Sequence, residues 1–209
     1  MAHLLLATNN QDKVHEYSSL LQKLPFELVT PVELGITTVV NEVGESMEEN
    51  ARLKATVLAV ESKLIALADD SGVEVDALDG EPGRLSARYA GENASDRDRV
   101  NYLLARLKGM PWPQRSACFR CVIAIATPEG EVEFGSGECP GFITFEPRGK
   151  HGFGYDPIFY LPELDKTMAE LPLAIKNQIC HRGQAARKVP QMLERLTDGK
   201  YALKGTTIL

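Results

Sequence analysis

The sequence predicts an α/β protein, and three patterns indicate this class. The chain opens with an apolar run, a polar turn and a helical repeat of apolar residues, which predict a strand followed by a helix. A second short apolar run, Leu64 to Ala68, is bounded by two acids, a hydroxyl residue and a glycine, as a buried strand before a turn is. Amphipathic helical patterns alternate with further strand-like segments along the rest of the chain.

The composition is that of an ordinary globular protein. The chain has 209 residues, of which 44% are hydrophobic and 25% charged, so it is long enough to bury a substantial core. Its net charge of -6 argues against binding of duplex nucleic acid, which needs a concentrated basic patch. No apolar run approaches the roughly 20 residues of a membrane helix, and the first residues lack a signal peptide's basic flank. We therefore expect a cytoplasmic protein without nucleic-acid or membrane partners.

The first predicted unit is a strand, a polar turn and a helix. Leu4 to Ala7 predicts a buried strand, apolar residues recur at helical spacing over 14–24, and a second strand is predicted at 26–30. A helix start attracts anions, and a lysine just inside it is unfavourable for the helix dipole unless an anion such as phosphate binds there. The turn is therefore a candidate phosphate site or an ordinary capped turn. Its residues are Thr8, Asn9, Asn10, Gln11, Asp12 and Lys13.

A polar helix is predicted after a loop that carries Glu42. Ser46 and Glu49 have the spacing of a capping box, which predicts the start of the helix. Asn50 and Lys54 share a face of this helix because they are four residues apart. They form either a solvated polar stripe or part of a site.

Asp69 and Asp70 follow the apolar run that ends at Ala68. Ligands bind at the carboxyl end of the strands in open α/β sheets. Adjacent carboxylates repel each other unless a positive group lies beside them, and Mg2+ prefers oxygen ligands. We expect the stretch from Asp69 to Gly72 to be a divalent-metal site at a strand's end or a solvated turn.

The second half of the chain continues the alternation of elements. The sequence predicts a hairpin of 118–126 with 131–137 and a strand at 141–145. It also predicts a last helix at about 184–196, which Pro190 should kink or restart. Cys118 and Cys121 have the spacing of a metal or redox site. Since residues three apart on a strand point to opposite faces, we expect structural thiols instead.

Two further stretches hold candidate binding residues. The stretch from Gly149 to Pro157 is glycine-rich, which permits close backbone approach to a ligand, and its aromatics suit either a nucleobase stack or the core. Lys176, His181 and Arg182 lie just before the predicted last helix. Such a basic cluster in an acidic protein suggests an anionic or carbonyl-bearing ligand.

Together these stretches resemble the inosine/xanthosine triphosphate pyrophosphatase family, the Ham1-like proteins. The resemblance covers nearly the whole chain, and the combination of motifs is specific although each motif alone is not. The matching segments are 6–10 with Lys13, 49–51 with Lys54 and Ala55, 68–72, 82–83, 86–91, 152–159, 166–167 with 169–170, and 181–185.

The resemblance implies hydrolysis of deaminated purine nucleoside triphosphates (ITP, dITP and XTP) to the monophosphate and pyrophosphate, which removes aberrant purines from the nucleotide pool. It implies one Mg2+ per subunit, with Mn2+ as a possible substitute, and a homodimer. The implied fold is a single domain over residues 1–209: an elongated, mixed, twisted sheet flanked by helices, with two lobes and a central cleft. A related pyrophosphatase acting on other modified bases and a catalytically silent nucleotide binder are the alternatives.

The family pattern also implies roles for individual residues. Asp70 is the implied proton acceptor and, with Glu42, associates with the metal, while Asp69 and Glu49 are supporting acids. Hydrogen-bond donors that face the base would favour a 6-oxo purine, because a 6-amino group presents donor to donor. The implied substrate-binding residues are Thr8 to Lys13 and Lys54 on the phosphates, Ser71, and Phe153, Gly154, Tyr155, Asp156, Lys176, His181 and Arg182 on the base and its sugar-phosphate.

Overall fold

In the computed structural model, which describes residues 2–197, the chain forms a seven-stranded mixed sheet with flanking helices. The strands are β1 (Ala2–Leu6), β2 (Phe26–Val29), β3 (Ile65–Val75), β4 (Ser116–Ala126), β5 (Val132–Ile143), β6 (Phe159–Leu161) and β7 (Lys166–Thr167). The helices are α1 (Gln11–Leu20), α2 (Met47–Ser62), α3 (Asp96–Arg106), α4 (Leu173–Ile179), α5 (His181–Ala186) and α6 (Val189–Leu196).

The strand order is β2-β1-β3-β4-β5-β6-β7. β1 pairs in parallel with β2 and with β3, whereas β6 pairs antiparallel with β5 and β7. The predicted α/β class and the mixed sheet with flanking helices are therefore confirmed.

The chain divides into two compact units. The first contains the segment up to Asp70, residues 121–137 and the segment from Arg182 onwards, and the second contains residues 71–120 and 138–181. The strands β3, β4 and β5 each contribute residues to both units. The single domain over residues 1–209 and the central cleft stay predictions. Within residues 2–197, no helix has the length and apolar character needed to cross a membrane.

In the first unit, helices cover both faces of the parallel strands. Leu4 and Leu6 of β1 pack in a cluster with residues of α1 and α6, whereas Leu5 and Ala7 pack in a second cluster with α2. A strand buried on both faces has no polar alternation, which explains the apolar run at the start of the sequence.

Alanines bring α2 close to the sheet. Ala51, Ala55 and Ala59 are fully buried and pack in one cluster with Ala66 and Ala68 of β3. Small side chains let a helix lie near the strand backbone, because there is little side-chain volume between the two. Polar residues on the same helix therefore come within hydrogen-bond distance of β3.

The second unit has its own core. Val73 and Val75 of β3, Leu103 of α3 and the rings of Phe119 and Phe159 belong to one buried cluster. The two rings lie with their centroids 4.2 Å apart. This core supports the loop between β5 and β6 and the residues of α4.

The prediction that the stretch from Asp69 to Gly72 is a turn at the end of a strand is wrong. β3 runs without interruption from Ile65 to Val75. The strand that ends here is β1, whose Leu6 lies opposite Leu67. Pairing and burial in the sheet outweigh the turn preference of these four residues, because local propensity is weak against tertiary contacts.

Two other element boundaries differ from the predictions. The strand of the predicted hairpin and the strand candidate at 141–145 are parts of one long strand, β5. The predicted last helix is two helices, and Pro190 lies in the first turn of the second one, α6, so the predicted restart is confirmed. Cys121 is buried and Cys118 is partly exposed, as the alternation of side chains along β4 requires.

Gly72 allows a close backbone approach that any other residue would block. A Cβ atom at this position would lie 2.1 Å from the carbonyl oxygen of Gly83 and 2.7 Å from Oγ of Ser86. Oγ of Ser86 also accepts a hydrogen bond from the Val73 amide at 3.0 Å and donates one to the Gly83 carbonyl at 2.6 Å. The segment from Gly83 to Ser86 is thus packed directly on β3.

We predict that Gly72→Ala lowers the free energy of unfolding by about 1–3 kcal/mol, since the new methyl group meets backbone that cannot move aside. The matched control is Gly135→Ala. Its Cβ would meet Sδ of Met192 at 2.9 Å and Cβ of Lys188 at 3.2 Å, which are side-chain atoms and not backbone, so we expect a smaller loss than for Gly72→Ala. Urea denaturation of both variants is the measurement, and equal losses would contradict this account.

Candidate active site

Asp69 and Asp70 point to opposite faces of the sheet. Consecutive residues of a strand alternate between faces, so Asp69 lies on the side of Leu67 with α1, and Asp70 on the side of Ala68 with α2. Both acids are buried, at 2% and 4% exposure. The two carboxylates therefore have different hydrogen-bond partners, and the predicted alternative of a solvated turn is wrong.

Asp69 lies in a buried network of ion pairs. Its Oδ1 accepts a hydrogen bond from Nζ of Lys13 at 2.8 Å, and its Oδ2 lies 3.3 Å from Nε of Arg182. Nη1 of Arg182 in turn donates to Glu16 at 2.6 Å. Burial by itself would raise the pKa of Asp69, but Lys13, Arg182 and Lys54 hold it well below the ordinary value. Asp69 is therefore a permanent negative charge.

The turn between β1 and α1 is ordered by its own side chains. Oδ1 of Asn10 accepts from the amides of Asp12 and Lys13 at 2.9 and 3.2 Å, as an N-cap residue does. Oγ1 of Thr8 accepts from the Asn10 amide at 3.2 Å. The unfavourable position of Lys13 at a helix start is compensated by Asp69, so it needs no phosphate to explain it. The exposed residues of the turn are Asn9, Asn10, Gln11 and Asp12.

Asp70 has a neutral partner from α2. Nδ2 of Asn50 donates to Oδ2 of Asp70 at 3.0 Å, and Oδ1 of the same amide accepts from the Gly44 amide at 2.8 Å. Burial raises the pKa of Asp70 above its ordinary value, Lys54 opposes this rise, and Glu42 adds to it. The two adjacent acids therefore have opposite tendencies, because one is held ionised and the other takes a proton more readily.

Lys54 connects the loop before α2 to β3. Its Nζ donates to Oε1 of Glu42 and to the carbonyl oxygen of Asp69, both at 2.6 Å. Burial alone would lower the pKa of Lys54, but Asp69, Asp70 and Glu42 raise it. The alternative of a solvated stripe on α2 is wrong, since Asn50 is fully buried and Lys54 faces acids.

Glu49 supports the same loop. Oγ of Ser46 accepts from the Glu49 amide at 3.1 Å, as in a capping box. The Glu49 carboxylate accepts from the amide of Glu45, at 2.7 Å, rather than from that of Ser46. The hydrogen bond from the Ser46 amide to Glu49 that a full capping box would have is thus replaced by the bond from the Glu45 amide. This bond holds the chain between Glu42 and α2.

Glu42 and Asp70 are the acids suited to a divalent cation. Among residues 2–197, no three His, Cys, Asp or Glu side chains form a group that could hold a metal by themselves. Mg2+ commonly uses only one or two carboxylates, and water and substrate phosphates complete its coordination. Each of these two acids raises the pKa of Lys54, and Glu42 also raises that of Asp70, as neighbouring negative charges do. The pair therefore fits a cation that binds together with a phosphorylated ligand.

The glycine-rich loop of the second unit encloses a buried ion pair. Asp156 and Lys176 pair with each other and are 3% and 2% exposed. Asp156 also accepts from the Phe153 amide at 2.9 Å, and Nζ of Lys176 lies 5.0 Å from the centroid of the Phe153 ring. Gly152 has a φ of 71°, and a Cβ there would lie 2.0 Å from the Asp156 carboxylate. The loop thus needs glycine at this position.

The two aromatics of the loop have different surroundings. Tyr155 is buried in the core and its hydroxyl donates to the carbonyl of Ser86 at 2.9 Å. Phe153 is partly exposed, as is Gly154. Of the two aromatics, Phe153 is therefore the one whose exposure permits stacking on a ligand.

The residues of the predicted basic cluster lie on two consecutive helices, α4 and α5. Lys176 lies inside α4, and the ring of His181 stacks on Phe119 with centroids 4.6 Å apart. Arg182 belongs to the first unit, with Asp69 and Glu16. Ser71 is a partly exposed residue of β3. The substrate-binding roles of these residues stay predictions.

Sequence reasoning missed Glu16 of the first unit and assigned no role to Asn50, which it noted only as sharing a helix face with Lys54. Glu16 is three residues after Lys13 and thus on the same side of α1, but nothing local indicates its partner. Sγ of Cys121 lies 3.8 Å from Oδ2 of Asp69, and burial raises the pKa of this thiol to about 12, so it packs as a neutral group.

Comparisons with known proteins agree on one family. The model of the Ham1 family (Ham1p-like) matches residues 4–192. A dITP/XTP pyrophosphatase of Geobacter sulfurreducens is 49% identical over 185 residues, 88% of this chain and 93% of that protein. One of Bacillus subtilis is 42% identical over 194 residues, 93% and 98% of the two chains. The solved structure of a HAM1 protein from Coxiella burnetii has a TM-score of 0.84 and 41% identity, and the match covers 93% of this chain and all of that one.

Proposed function

The chain belongs to the Ham1 family, and on this premise we propose that it hydrolyses deaminated purine nucleoside triphosphates to the monophosphate and pyrophosphate. The names of the relatives, dITP/XTP pyrophosphatase, supply the substrate class. The observation that carries the proposal is the different surroundings of the adjacent acids Asp69 and Asp70. A protein that only binds a polyphosphate has no need of a buried carboxylate with a raised pKa.

The proposed reaction consumes one water molecule. Its oxygen forms a bond to the α-phosphorus, the bond from that phosphorus to the oxygen that bridges to the β-phosphate breaks, and pyrophosphate leaves with the bridging oxygen. The water loses a proton as it attacks, so a base must lie beside it. The negative charge on the phosphate oxygens must be neutralised at the same time, which is the main task of a protein in phosphoryl chemistry.

Asp70 is the proposed proton acceptor. Asp69 is unsuited to this role because cations lie against both of its oxygens. Asp70 accepts a bond from the neutral amide of Asn50, which orients the carboxylate without adding a positive charge. Burial favours its protonated form, as a general base near neutral pH requires.

Lys13, Lys54 and a divalent cation are the proposed partners of the triphosphate. Lys13 follows the turn from Thr8 to Asp12, whose polar groups are the remaining proposed phosphate contacts. Glu42 and Asp70 would hold Mg2+, or Mn2+ in its place, with Glu49 as a support of the Glu42 loop. When bound, this ion supplies positive charge to the phosphate oxygens.

The glycine-rich loop is proposed to recognise the base. The partly exposed Phe153 suits stacking on a purine. His181 and Arg182 are the proposed donors, to which a 6-oxo purine offers an acceptor. Adenine offers an amino group there, which would leave a buried donor without a partner. Lys176 is a further proposed contact of the base and its sugar-phosphate.

The family resemblance further supports a cytoplasmic homodimer that removes deaminated purines from the nucleotide pool. Sedimentation equilibrium of the purified chain checks the dimer, and a monomer at micromolar concentration would contradict it.

We predict that the purified chain converts ITP and Mg2+ to IMP and pyrophosphate, and that Asp70→Asn reduces kcat by at least about 100-fold because the proton acceptor is lost. Phosphorus NMR of the products is the measurement. Chelation of the divalent ion should stop turnover of the wild type.

The control for this assay is the fold and ITP binding of Asp70→Asn, followed by circular dichroism and calorimetry. IDP and phosphate as products would show that a different bond is cut. Binding of ITP without turnover by the wild type would favour the silent nucleotide binder.

We predict that His181→Ala lowers the preference for ITP over ATP, expressed as the ratio of kcat/KM values, by about 5- to 100-fold, the effect of one lost donor in a buried site. Because His181 also stacks on Phe119, the matched variant is His181→Phe, which retains an aromatic ring and lacks the donor. If either variant keeps the full preference, His181 does not read the base.

A further inference from the structure

The segment from Ser86 to Gly91, one of the motifs of the family resemblance, has no role in the function proposed above. Two of its backbone carbonyls accept hydrogen bonds from side chains of other elements. The hydroxyl of Tyr155 donates to Ser86 at 2.9 Å, and Nη1 of Arg99 donates to Ala87 at 3.0 Å. The backbone carbonyls of this segment therefore accept hydrogen bonds both from α3 and from the glycine-rich loop.

Arg99 of α3 extends these contacts towards the loop. Its Nη1 also donates to the carbonyl of Ala94 at 2.6 Å, and its Nη2 pairs with Oδ1 of Asp96. Several bonds from one planar guanidinium fix its orientation. The guanidinium thereby holds the Asp96 carboxylate in one position.

The other oxygen of Asp96 reaches the glycine-rich loop. Its Oδ2 accepts from the amide of Gly154 at 2.6 Å. A hydrogen bond to a carboxylate is stronger than one between neutral groups. A continuous chain of contacts thus runs from the carbonyl of Ala87 through Arg99 and Asp96 to the backbone of Gly154.

The loop needs an outside contact at this point. Gly152 and Gly154 have φ values of 71° and 61°, in the left-handed region that glycine adopts readily. Glycine also loses more conformational freedom on ordering than other residues. Within the loop, the Asp156 amide donates to the Phe153 carbonyl at 3.2 Å. The Gly154 amide, which lies between these two residues, donates to Asp96, outside the loop.

We propose that Asp96 and Arg99 are positioning residues for the glycine-rich loop that is proposed to recognise the base. By fixing the backbone at Gly154, they hold Phe153 and Asp156 on either side of it, and through Asp156 they orient Lys176. This inference rests on the proposed function, since it assigns the held loop to recognition of the purine. It gives the motif from Ser86 to Gly91 the role of an anchor.

A purely structural role for Asp96 is separable from this one. Asp96 is the first residue of α3, where an acid stabilises the helix through its dipole. Asp98 is also in the first turn and completes the capping box with Ser95. Asp98→Asn is therefore a matched control, since it removes a charge and weakens the cap without touching a described contact of the loop.

The test compares Asp96→Ala, Asp96→Asn and Asp98→Asn in the full chain. With ITP and Mg2+, we expect Asp96→Ala to raise KM about tenfold, the effect of one lost charge-assisted hydrogen bond, with kcat changed less than about twofold. Asp96→Asn should lie between it and the wild type, because the amide oxygen can still accept from Gly154. Asp98→Asn should lower the melting temperature and leave KM unchanged. Equal effects of Asp96→Ala and Asp98→Asn on KM, or no change in either, would overturn the proposal.

A second measurement needs no turnover. Amide hydrogen exchange in the ligand-free chain should be faster over residues 149–158 in Asp96→Ala and unchanged there in Asp98→Asn. If the wild type does not hydrolyse ITP, the proposed function fails, while the exchange data still decide whether Asp96 holds the loop. If ITP is hydrolysed and exchange over the loop is the same in all variants, the positioning role fails and the proposed function stands.

Discussion

The buried charge of Asp69 is the constraint on which the first unit depends. A carboxylate in a sheet interior is costly unless cations and hydrogen bonds compensate it. Here the compensation comes from two elements that are distant in sequence, Lys13 of α1 and Arg182 of α5. Each cation must reach the same carboxylate, so the turn after β1 and the start of α5 are both fixed against β3. Glu16 balances the second positive charge and extends the network into α1.

Strand geometry then separates the roles of the two acids. Because neighbouring residues of β3 face opposite ways, the two cations that contact the Asp69 carboxylate, Lys13 and Arg182, are on the other side of the sheet from the oxygens of Asp70. The alanine-lined packing of α2 brings Asn50 and Lys54 to the second face, where one amide orients Asp70. Two carboxylates with opposite proton affinities can therefore stand next to each other in one strand, an arrangement suited to one fixed charge and one base.

The second unit orders its candidate residues in a different way. Hydrogen bonds from the backbone of its glycine-rich loop to Asp96 and to Asp156 give this loop a shape. The pair of Asp156 and Lys176 is nevertheless buried, so the loop combines an adaptable backbone with a fixed charge pair. This explains how a segment with three glycines of positive φ can present a partly exposed ring beside a buried cation in a defined arrangement.

Local patterns in the sequence determined the strand, turn and helix at the start, the Asn10 cap, the beginning of α2 and the restart at Pro190, because each depends on residues a few positions apart. The order of the motifs along the chain also indicated the family, because this order is visible in the sequence without knowledge of distant contacts. Only the tertiary structure decided that the stretch from Asp69 to Gly72 is strand and not turn, because pairing and burial between distant segments outweigh local preference. It also decided that Arg182 binds an acid 113 residues away, a partner that no spacing in the sequence indicates.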